Sequence, residues 1–291
     1  MSVFTGSAVA IVTPLDNNGV QKEVFAQLIA YQITEGTDAI VVCGTTGEPS
    51  TMTQQEKHDA ISFCIEQVNG RIPVIVGTGG NNTKQVVADS ANAEAMGADA
   101  LLVVTPYYNK CTQQGLVAHY HMVADHVGVP IIVYNVPGRT GVNIEPETMA
   151  RLFEHKNIVG IKEATGNMRQ VGEFARLCPE MDIYSGDDDC ILPIMAYGGK
   201  GVISVLANIA PRMTHELIDM FLRGDVVGCR NLQLMLNPLV KSLFCEVNPI
   251  PVKTAVQMMG FDVGEVRLPL TPLSPKNQEE LKRNMRQLGL L

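Results

Sequence analysis

The chain has 291 residues, of which 46% are hydrophobic and 18% charged, and its formal net charge is -8. This composition is typical of a folded globular protein and argues against an intrinsically disordered chain. The negative charge argues against a general affinity for nucleic acid or for an anionic membrane surface.

The apolar runs are much shorter than the roughly 20 residues that a membrane helix needs. The N-terminal stretch MSVFTGSAVAIV lacks the basic segment of a signal peptide, so we expect a cytoplasmic protein without a membrane partner. The seven cysteines are widely spaced and include no C-x-x-C pair, which indicates reduced thiols. The six histidines show no H-E-x-x-H or similar spacing, so we predict no metal site.

Eight short apolar runs, rich in β-branched residues, recur at regular intervals and predict strands. Their apolar character is continuous rather than alternating, which favours strands buried on both faces, as in a parallel sheet. The runs are SAVAIVTPL from Ser7, AIVVCG from Ala39, PVIVGTG from Pro73, ALLVVTP from Ala100, PIIVYNVP from Pro130, IVGIKEAT from Ile158, DIYSGDD from Asp182 and GVISVLAN from Gly201.

Segments with helical periodicity, such as EVFAQLIAYQI and EKHDAISFCIEQV, alternate with these strands. Thr53 and Glu56 fit a capping box that would start the second of these helices. Eight βα units predict an α/β fold, a (β/α)8 TIM barrel over residues 1–209. An open doubly wound sheet is less favoured, because no G-x-G-x-x-G follows the first strand.

After Asn208 the pattern changes to helices alone, beginning with RMTHELIDMFLRGD and ending with NQEELKRNMRQLGL. No low-complexity linker or run of charge separates this part from the barrel. We therefore predict a C-terminal helical extension, residues 210–291, that packs on the barrel.

Polar residues at the carboxyl ends of the strands are the candidate site residues, because active sites of such barrels lie there. Strand alternation places Lys162 on one face with Gly160 and Ala164, which leave room for a long side chain and a ligand. This lysine could simply extend to the surface. If it is buried, its pKa falls, and its neutral amine can form a Schiff base with a carbonyl compound.

Three other segments could complete such a site. The hydroxyl of Tyr134 could transfer protons, although an ordinary core tyrosine is an equally good interpretation. The run GTTGE at residues 44–48 offers hydroxyls and backbone N–H groups to a carboxylate, and Arg139 could bind a second one. The run DDD at residues 187–189 resembles a metal cluster without clear further ligands, so we interpret it as loop and helix start.

Six motifs in order along the chain resemble the dihydrodipicolinate synthase family. Each is weak alone, but the ordered set is specific and covers essentially the whole chain. The resemblance implies a (β/α)8 barrel that condenses pyruvate with L-aspartate 4-semialdehyde, in lysine and diaminopimelate biosynthesis, without a metal or organic cofactor. The motifs are GTTGE (44–48), TPYYN (105–109), YNVPGRTG (134–141), GIKEATG (160–166), SGDD (185–188) and GVIS (201–204).

The same resemblance implies a catalytic role for four residues. Lys162 would form an imine with pyruvate, and the derived enamine would attack the aldehyde. Tyr134 would be the acid/base group, linked through Thr45 to Tyr108 of a neighbouring subunit. The resemblance therefore implies a homo-oligomer, either a dimer or a tetramer built as a pair of dimers.

The resemblance also implies how the substrates are held. Thr46 would bind the pyruvate carboxylate, with Gly186 and Ile203 lining the same pocket. Arg139 would receive the carboxylate of the semialdehyde.

One departure from the family concerns feedback inhibition. Lysine-inhibited members carry a histidine and a glutamate in an interface pocket where this chain has Lys57 and Gln85, although Asn81 and Tyr107 are retained. A cationic Lys57 and the loss of a carboxylate should weaken binding of a lysine ammonium. We therefore predict weak or absent inhibition by L-lysine.

Three alternative functions remain open at this stage. N-acetylneuraminate lyase and 2-keto-3-deoxy sugar acid aldolases share the lysine, the tyrosine and the GTTGE-like loop, but they need neutral groups where this chain has Arg139. A non-catalytic keto-acid sensor should lack at least one relay residue, and none is missing. A phosphate-binding barrel would use GTGG at residues 77–80.

Overall fold

The computed structural model describes residues 2–291, and its centre is a closed barrel of eight parallel strands. Each sequence-predicted run contains one barrel strand. The barrel closes in the order β1, β10, β9, β8, β7, β6, β5, β4, while β2 and β3 form a separate antiparallel hairpin that the sequence pattern did not predict. The strands are β1 Gly6–Ala10, β2 Leu15–Asp16, β3 Gly19–Val20, β4 Ala39–Val42, β5 Val74–Gly77, β6 Ala100–Val104, β7 Ile131–Asn135, β8 Ile158–Glu163, β9 Asp182–Ser185 and β10 Gly201–Ser204.

Helices follow the barrel strands and surround them, so the predicted (β/α)8 barrel is confirmed. None of the helices within residues 2–291 is long and apolar enough to cross a membrane. The helices are α1 Lys22–Thr34, α2 Gln54–Val68, α3 Thr83–Ala95, α4 Gln113–Ala124, α5 Pro137–Thr140, α6 Pro146–Phe153, α7 Met168–Leu177, α8 Ile191–Ala196, α9 Pro211–Leu222, α10 Val226–Leu243, α11 Ile250–Met258 and α12 Pro275–Gln287.

The continuous apolar runs are explained by two separate cores. On β4, Ala39 and Val41 belong to the cluster inside the barrel, whereas Ile40 and Val42 belong to the layer between strands and helices. Successive side chains of a strand point to opposite faces, so both faces must be apolar. The barrel interior is therefore a packed core, closed below the site that lies at the strand ends.

The capping box at the start of α2 is present as predicted. The Thr53 hydroxyl accepts a hydrogen bond from the Glu56 N–H at 3.2 Å, and the Glu56 carboxylate accepts one from the Thr53 N–H at 2.7 Å. Both contacts satisfy N–H groups that would otherwise lack partners at the helix end. They fix where α2 starts, soon after the turn that follows β4.

The C-terminal helices pack on the barrel and on one another. α9 contacts β1 directly, and α10 packs against both α9 and α12. α11 reaches the turn after β4 through a buried ion pair between Lys253 and Glu48. The boundary between the barrel and the C-terminal extension at residue 210 stays a prediction, because α9 packs on the barrel surface as well as on the C-terminal helices.

Candidate active site

Lys162 lies on β8 with its side chain inside the mouth of the barrel, and only 5% of the residue is exposed. In the strand register it is paired with Tyr134 on β7 and with Tyr184 on β9. Paired residues of neighbouring parallel strands point to the same face, so the lysine stands between two tyrosines. Its Nζ lies 4.3 Å from the centre of the Tyr134 ring.

Space for the lysine side chain depends on Gly186, in the loop after β9. A Cβ at this position would lie 3.2 Å from Lys162 Cε and 2.7 Å from Ala164 Cβ. Real Cβ atoms do not approach other atoms this closely without displacing them. The structure therefore places Gly186 directly against the lysine.

Burial lowers the pKa of Lys162 to about 8, while the carboxylates of Asp187 and Asp188 oppose this shift. Water stabilises an ammonium better than an apolar cavity does, so burial favours the neutral amine. With this pKa, roughly a tenth of the amine is neutral at pH 7, far more than for an exposed lysine. No other residue in the described chain forms a hydrogen bond or ion pair with its Nζ, which leaves the amine open to a ligand.

Tyr134 is buried and is paired with Lys162 in the strand register. Burial raises the pKa of Tyr134 to about 12, and the Arg139 guanidinium and a contact with the Thr45 hydroxyl partly offset that rise. The phenol is therefore protonated at neutral pH and can donate a proton to a nearby oxygen or nitrogen. Ile203, on β10, is fully buried in the apolar cluster that also contains Tyr134 and Tyr184.

The turn after β4 carries the two predicted hydroxyls. Residues Thr45–Gly47 form one turn of 3₁₀ helix, and Glu48 follows in the left-handed region with φ +58°. This conformation is unfavourable for a residue with a side chain. It is fixed by long-range contacts, because the buried Glu48 carboxylate accepts hydrogen bonds from Lys253 Nζ at 2.7 Å and from the Arg267 N–H at 3.1 Å.

A cavity of about 900 Å³ opens above this turn. Its lining includes Thr45, Tyr134 and Arg139 as well as Lys57 and Gln85. A site of this size accommodates a small-molecule ligand. Thr45 and Tyr134 of the candidate catalytic residues therefore line the same cavity as the candidate lysine pocket, and Lys162 lies against the ring of Tyr134.

Tyr108 does not line this cavity. It lies in the loop after β6 with φ +72°, and 90% of it is exposed. Its neighbour Tyr107 lines the cavity instead, with its carbonyl accepting a hydrogen bond from Asn81 Nδ2 at 3.1 Å.

The run at residues 187–189 contains a structural contact that the sequence pattern did not reveal. Asp188 is buried, and its carboxylate accepts hydrogen bonds from Ser204 Oγ at 2.5 Å and from the N–H groups of Val205 and Leu206 at 3.1 and 2.9 Å. It thereby joins the ends of β9 and β10. No cluster of three or more histidine, cysteine or acidic groups suited to a metal occurs in residues 2–291.

The glycines of GTGG are explained by close packing. A Cβ at Gly77 would collide with the Cys43 carbonyl, and one at Gly79 would collide with the backbone of Val104. α3 begins only at Thr83, beyond the glycines. The motif is therefore accounted for without a bound phosphate.

The family model described as the dihydrodipicolinate synthetase family matches residues 3–288 of the chain. The chain belongs to this family. A relative from Thermoanaerobacter sp. (strain X514), named 4-hydroxy-tetrahydrodipicolinate synthase, is 57% identical over 293 residues, which cover 100% of this chain and 99% of the relative.

Solved structures of the dihydrodipicolinate synthetase family have the same fold. The dihydrodipicolinate synthase of Aquifex aeolicus has a TM-score of 0.96 at 47% identity, with 99% of each chain covered. The chloride-inhibited enzyme of Acinetobacter baumannii, solved with pyruvate, has a TM-score of 0.96 at 44% identity, again with 99% of each chain covered.

Proposed function

We propose that this protein is a 4-hydroxy-tetrahydrodipicolinate synthase, which condenses pyruvate with L-aspartate 4-semialdehyde in cytoplasmic lysine and diaminopimelate biosynthesis. The observation that carries the proposal is the buried amine of Lys162, which has no hydrogen-bond partner within residues 2–291 and lies against the ring of Tyr134. Membership of the family and the names of close relatives support it further.

The first half of the reaction forms a nucleophile on Lys162. Its neutral amine adds to the pyruvate carbonyl, and loss of water gives an imine. The Thr46 hydroxyl holds the pyruvate carboxylate, and Gly186 and Ile203 shape the pocket around the substrate. Loss of a methyl proton then converts the imine to an enamine, with Tyr134 as the group that moves protons.

The second half joins the two substrates. The enamine carbon attacks the aldehyde carbon of the semialdehyde, and the aldehyde oxygen takes up a proton. The substrate amine then attacks the imine carbon, which closes the ring and releases the Lys162 amine. Arg139 binds the semialdehyde carboxylate. This chemistry uses only the lysine as covalent catalyst.

Tyr108 completes the proton path only in an oligomer. We infer that the exposed Tyr108 of one subunit enters the cavity of the next and contacts its Thr45, in a dimer or in a tetramer built as a pair of dimers. Sedimentation measurements should give an oligomer, and Tyr108→Phe should lower kcat without changing the assembly. A fully active monomer would contradict this inference.

The direct test is intact-protein mass spectrometry after borohydride reduction with pyruvate. Wild type should gain a pyruvate-sized adduct, and Lys162→Ala should gain none while remaining folded. A coupled assay then identifies the aldehyde. Turnover of N-acetylneuraminate or of a 2-keto-3-deoxy sugar acid, in place of the semialdehyde, would favour the sugar acid lyases instead.

A further inference from the structure

Asn248 lies between the two residues that we assign to substrate carboxylates. Its side-chain Nδ2 donates a hydrogen bond to Thr46 Oγ1 at 3.1 Å, and its backbone carbonyl accepts one from Arg139 Nη2 at 3.2 Å. Thr46 follows β4 and Arg139 lies in α5, after β7. A single residue from the segment between α10 and α11 therefore contacts both carboxylate-binding groups.

The direction of the hydrogen bond to Thr46 determines what its hydroxyl can do. A hydroxyl carries one proton and two lone pairs, and the Asn248 amide occupies a lone pair. No acceptor for the Thr46 proton occurs among residues 2–291. The proton is therefore available to a bound carboxylate, which can only accept.

The opposite orientation of the amide would remove this function. If Asn248 Oδ1 faced Thr46, it would accept the hydroxyl proton, and the hydroxyl could no longer donate to a substrate. In the structure Oδ1 is buried without a hydrogen-bond partner in the described chain, so the bond to Thr46 is the only one that the side chain makes. An unfilled buried acceptor is unfavourable, and a functional role can account for its retention.

A second contact fixes the distance between Asn248 and the turn. Lys253, on the first turns of α11, pairs with Glu48, two residues after Thr46, at 2.7 Å. Both side chains are 2% exposed. α11 and the residues just before it are thus joined to the turn at two points, one of which is the contact that orients the Thr46 hydroxyl.

We propose that Asn248 is a positioning residue for pyruvate, whose side-chain amide holds the Thr46 hydroxyl with its proton directed at the substrate carboxylate. This inference rests on the proposed function. It predicts that changes at Asn248 act on pyruvate binding through Thr46, rather than on the chemistry at Lys162.

The experiment measures the pyruvate concentration that gives half-maximal borohydride-trapped adduct, which needs no second substrate. Asn248→Asp should raise this concentration at least about tenfold, because its carboxylate takes the Thr46 proton and repels the anion. Asn248→Ala should raise it about threefold to tenfold, because only the orienting bond is lost. The maximal amount of adduct should stay near that of wild type.

Asn284→Ala is the matched control. Asn284 is another buried asparagine of the C-terminal helices, and its Nδ2 donates to the Pro238 carbonyl at 3.2 Å and to Ser242 Oγ at 2.7 Å, outside the cavity. Its truncation removes hydrogen bonds and stability in the same way. The half-saturating pyruvate concentration should stay within about twofold of wild type.

A double-mutant cycle separates positioning from a general structural effect. If Asn248 acts through Thr46, then Asn248→Ala should add nothing to the effect of Thr46→Val. Additive effects of the two substitutions would overturn the inference, as would a shift below twofold in both Asn248 variants. In either case a wild-type adduct would still uphold the proposed function. A wild type without any adduct would overturn the proposed function and this inference with it.

Discussion

Two lysines are buried in this protein, and their surroundings differ in one respect. Lys253 is 1% exposed, and its Nζ donates to the Glu48 carboxylate at 2.7 Å and to the Glu265 carbonyl at 2.9 Å. Lys162 is 5% exposed, and its Nζ lies 4.3 Å from the centre of the Tyr134 ring without a hydrogen bond or ion pair within residues 2–291. One buried amine is held in a direct ion pair, and the other is influenced by carboxylates only at longer range.

The comparison shows how the same residue type can serve structure or chemistry. A paired ammonium is held in place and has no lone pair to offer. An unpaired amine in an apolar cavity loses its proton readily and becomes a nucleophile. Burial alone does not identify a reactive lysine, whereas burial without a partner does.

The largest expected effect is that of Lys162→Met on activity. Removal of the amine should lower kcat/KM for pyruvate by at least about a thousandfold, because no imine can form. The midpoint of thermal unfolding should not fall, because the substitution breaks no hydrogen bond or ion pair. Steady-state kinetics and a thermal melt on the same sample check both statements. A large loss of stability in Lys162→Met would show that Lys162, like Lys253, stabilises the fold.

Lys253→Met should have the opposite effect to Lys162→Met, because it should lower stability rather than remove the nucleophile. Loss of the ammonium leaves the Glu48 carboxylate buried without its partner, which should cost about 3–5 kcal/mol in the free energy of unfolding. Urea denaturation measures this loss. Adding Glu48→Gln should restore most of it, because the neutral amide can still accept from the Arg267 N–H. A double variant as unstable as the single one would argue against the ion pair as the cause.

The pH dependence of activity should report the lowered pKa of Lys162. Only the neutral amine attacks, so kcat/KM for pyruvate should rise with pH and level off above about 8. The Asp187 carboxylate favours the ammonium, so Asp187→Asn should move the curve to lower pH.

Asp189→Asn is the matched control for this shift, because Asp189 is exposed and is not among the groups that act on Lys162. Its pH profile should coincide with that of wild type. An upward shift in Asp187→Asn, or an equal shift in both variants, would show that the carboxylate does not act on Lys162 as proposed.

The smallest effect concerns a third lysine, Lys57, which lines the cavity and is only partly buried. Its charge should repel a lysine ammonium, so wild type should be inhibited weakly or not at all by L-lysine. The double substitution Lys57→His with Gln85→Glu should increase inhibition, as read in a steady-state assay. Sub-millimolar inhibition of wild type would refute the prediction.

The sequence predicted the barrel well because its signals are local. Each barrel strand is a continuous apolar run, and the Thr53 and Glu56 capping box lies within four residues. The hairpin of β2 and β3 was missed because strands of two residues are too short for any periodicity to appear. α5 was missed for a similar reason, since its PGRT sequence is typical of a loop.

Candidate site residues could be named only where a motif carried them. Lys162 and Tyr134 lie in motifs that resemble the family, and strand register explains why they meet. The contact between Asn248 and Thr46 joins residues 202 positions apart, and no local pattern indicates it. The pairing of Lys253 with Glu48 is equally distant in sequence, so its structural role appears only in the folded chain.

In the proposed function Lys162, and not the other buried lysine, is the nucleophile. The most direct test is peptide mapping by mass spectrometry after borohydride reduction of the wild-type protein with pyruvate. The adduct should lie on the peptide containing Lys162, and the peptide containing Lys253 should be unmodified. An adduct on Lys253, or one spread over several lysines without preference for Lys162, would contradict it.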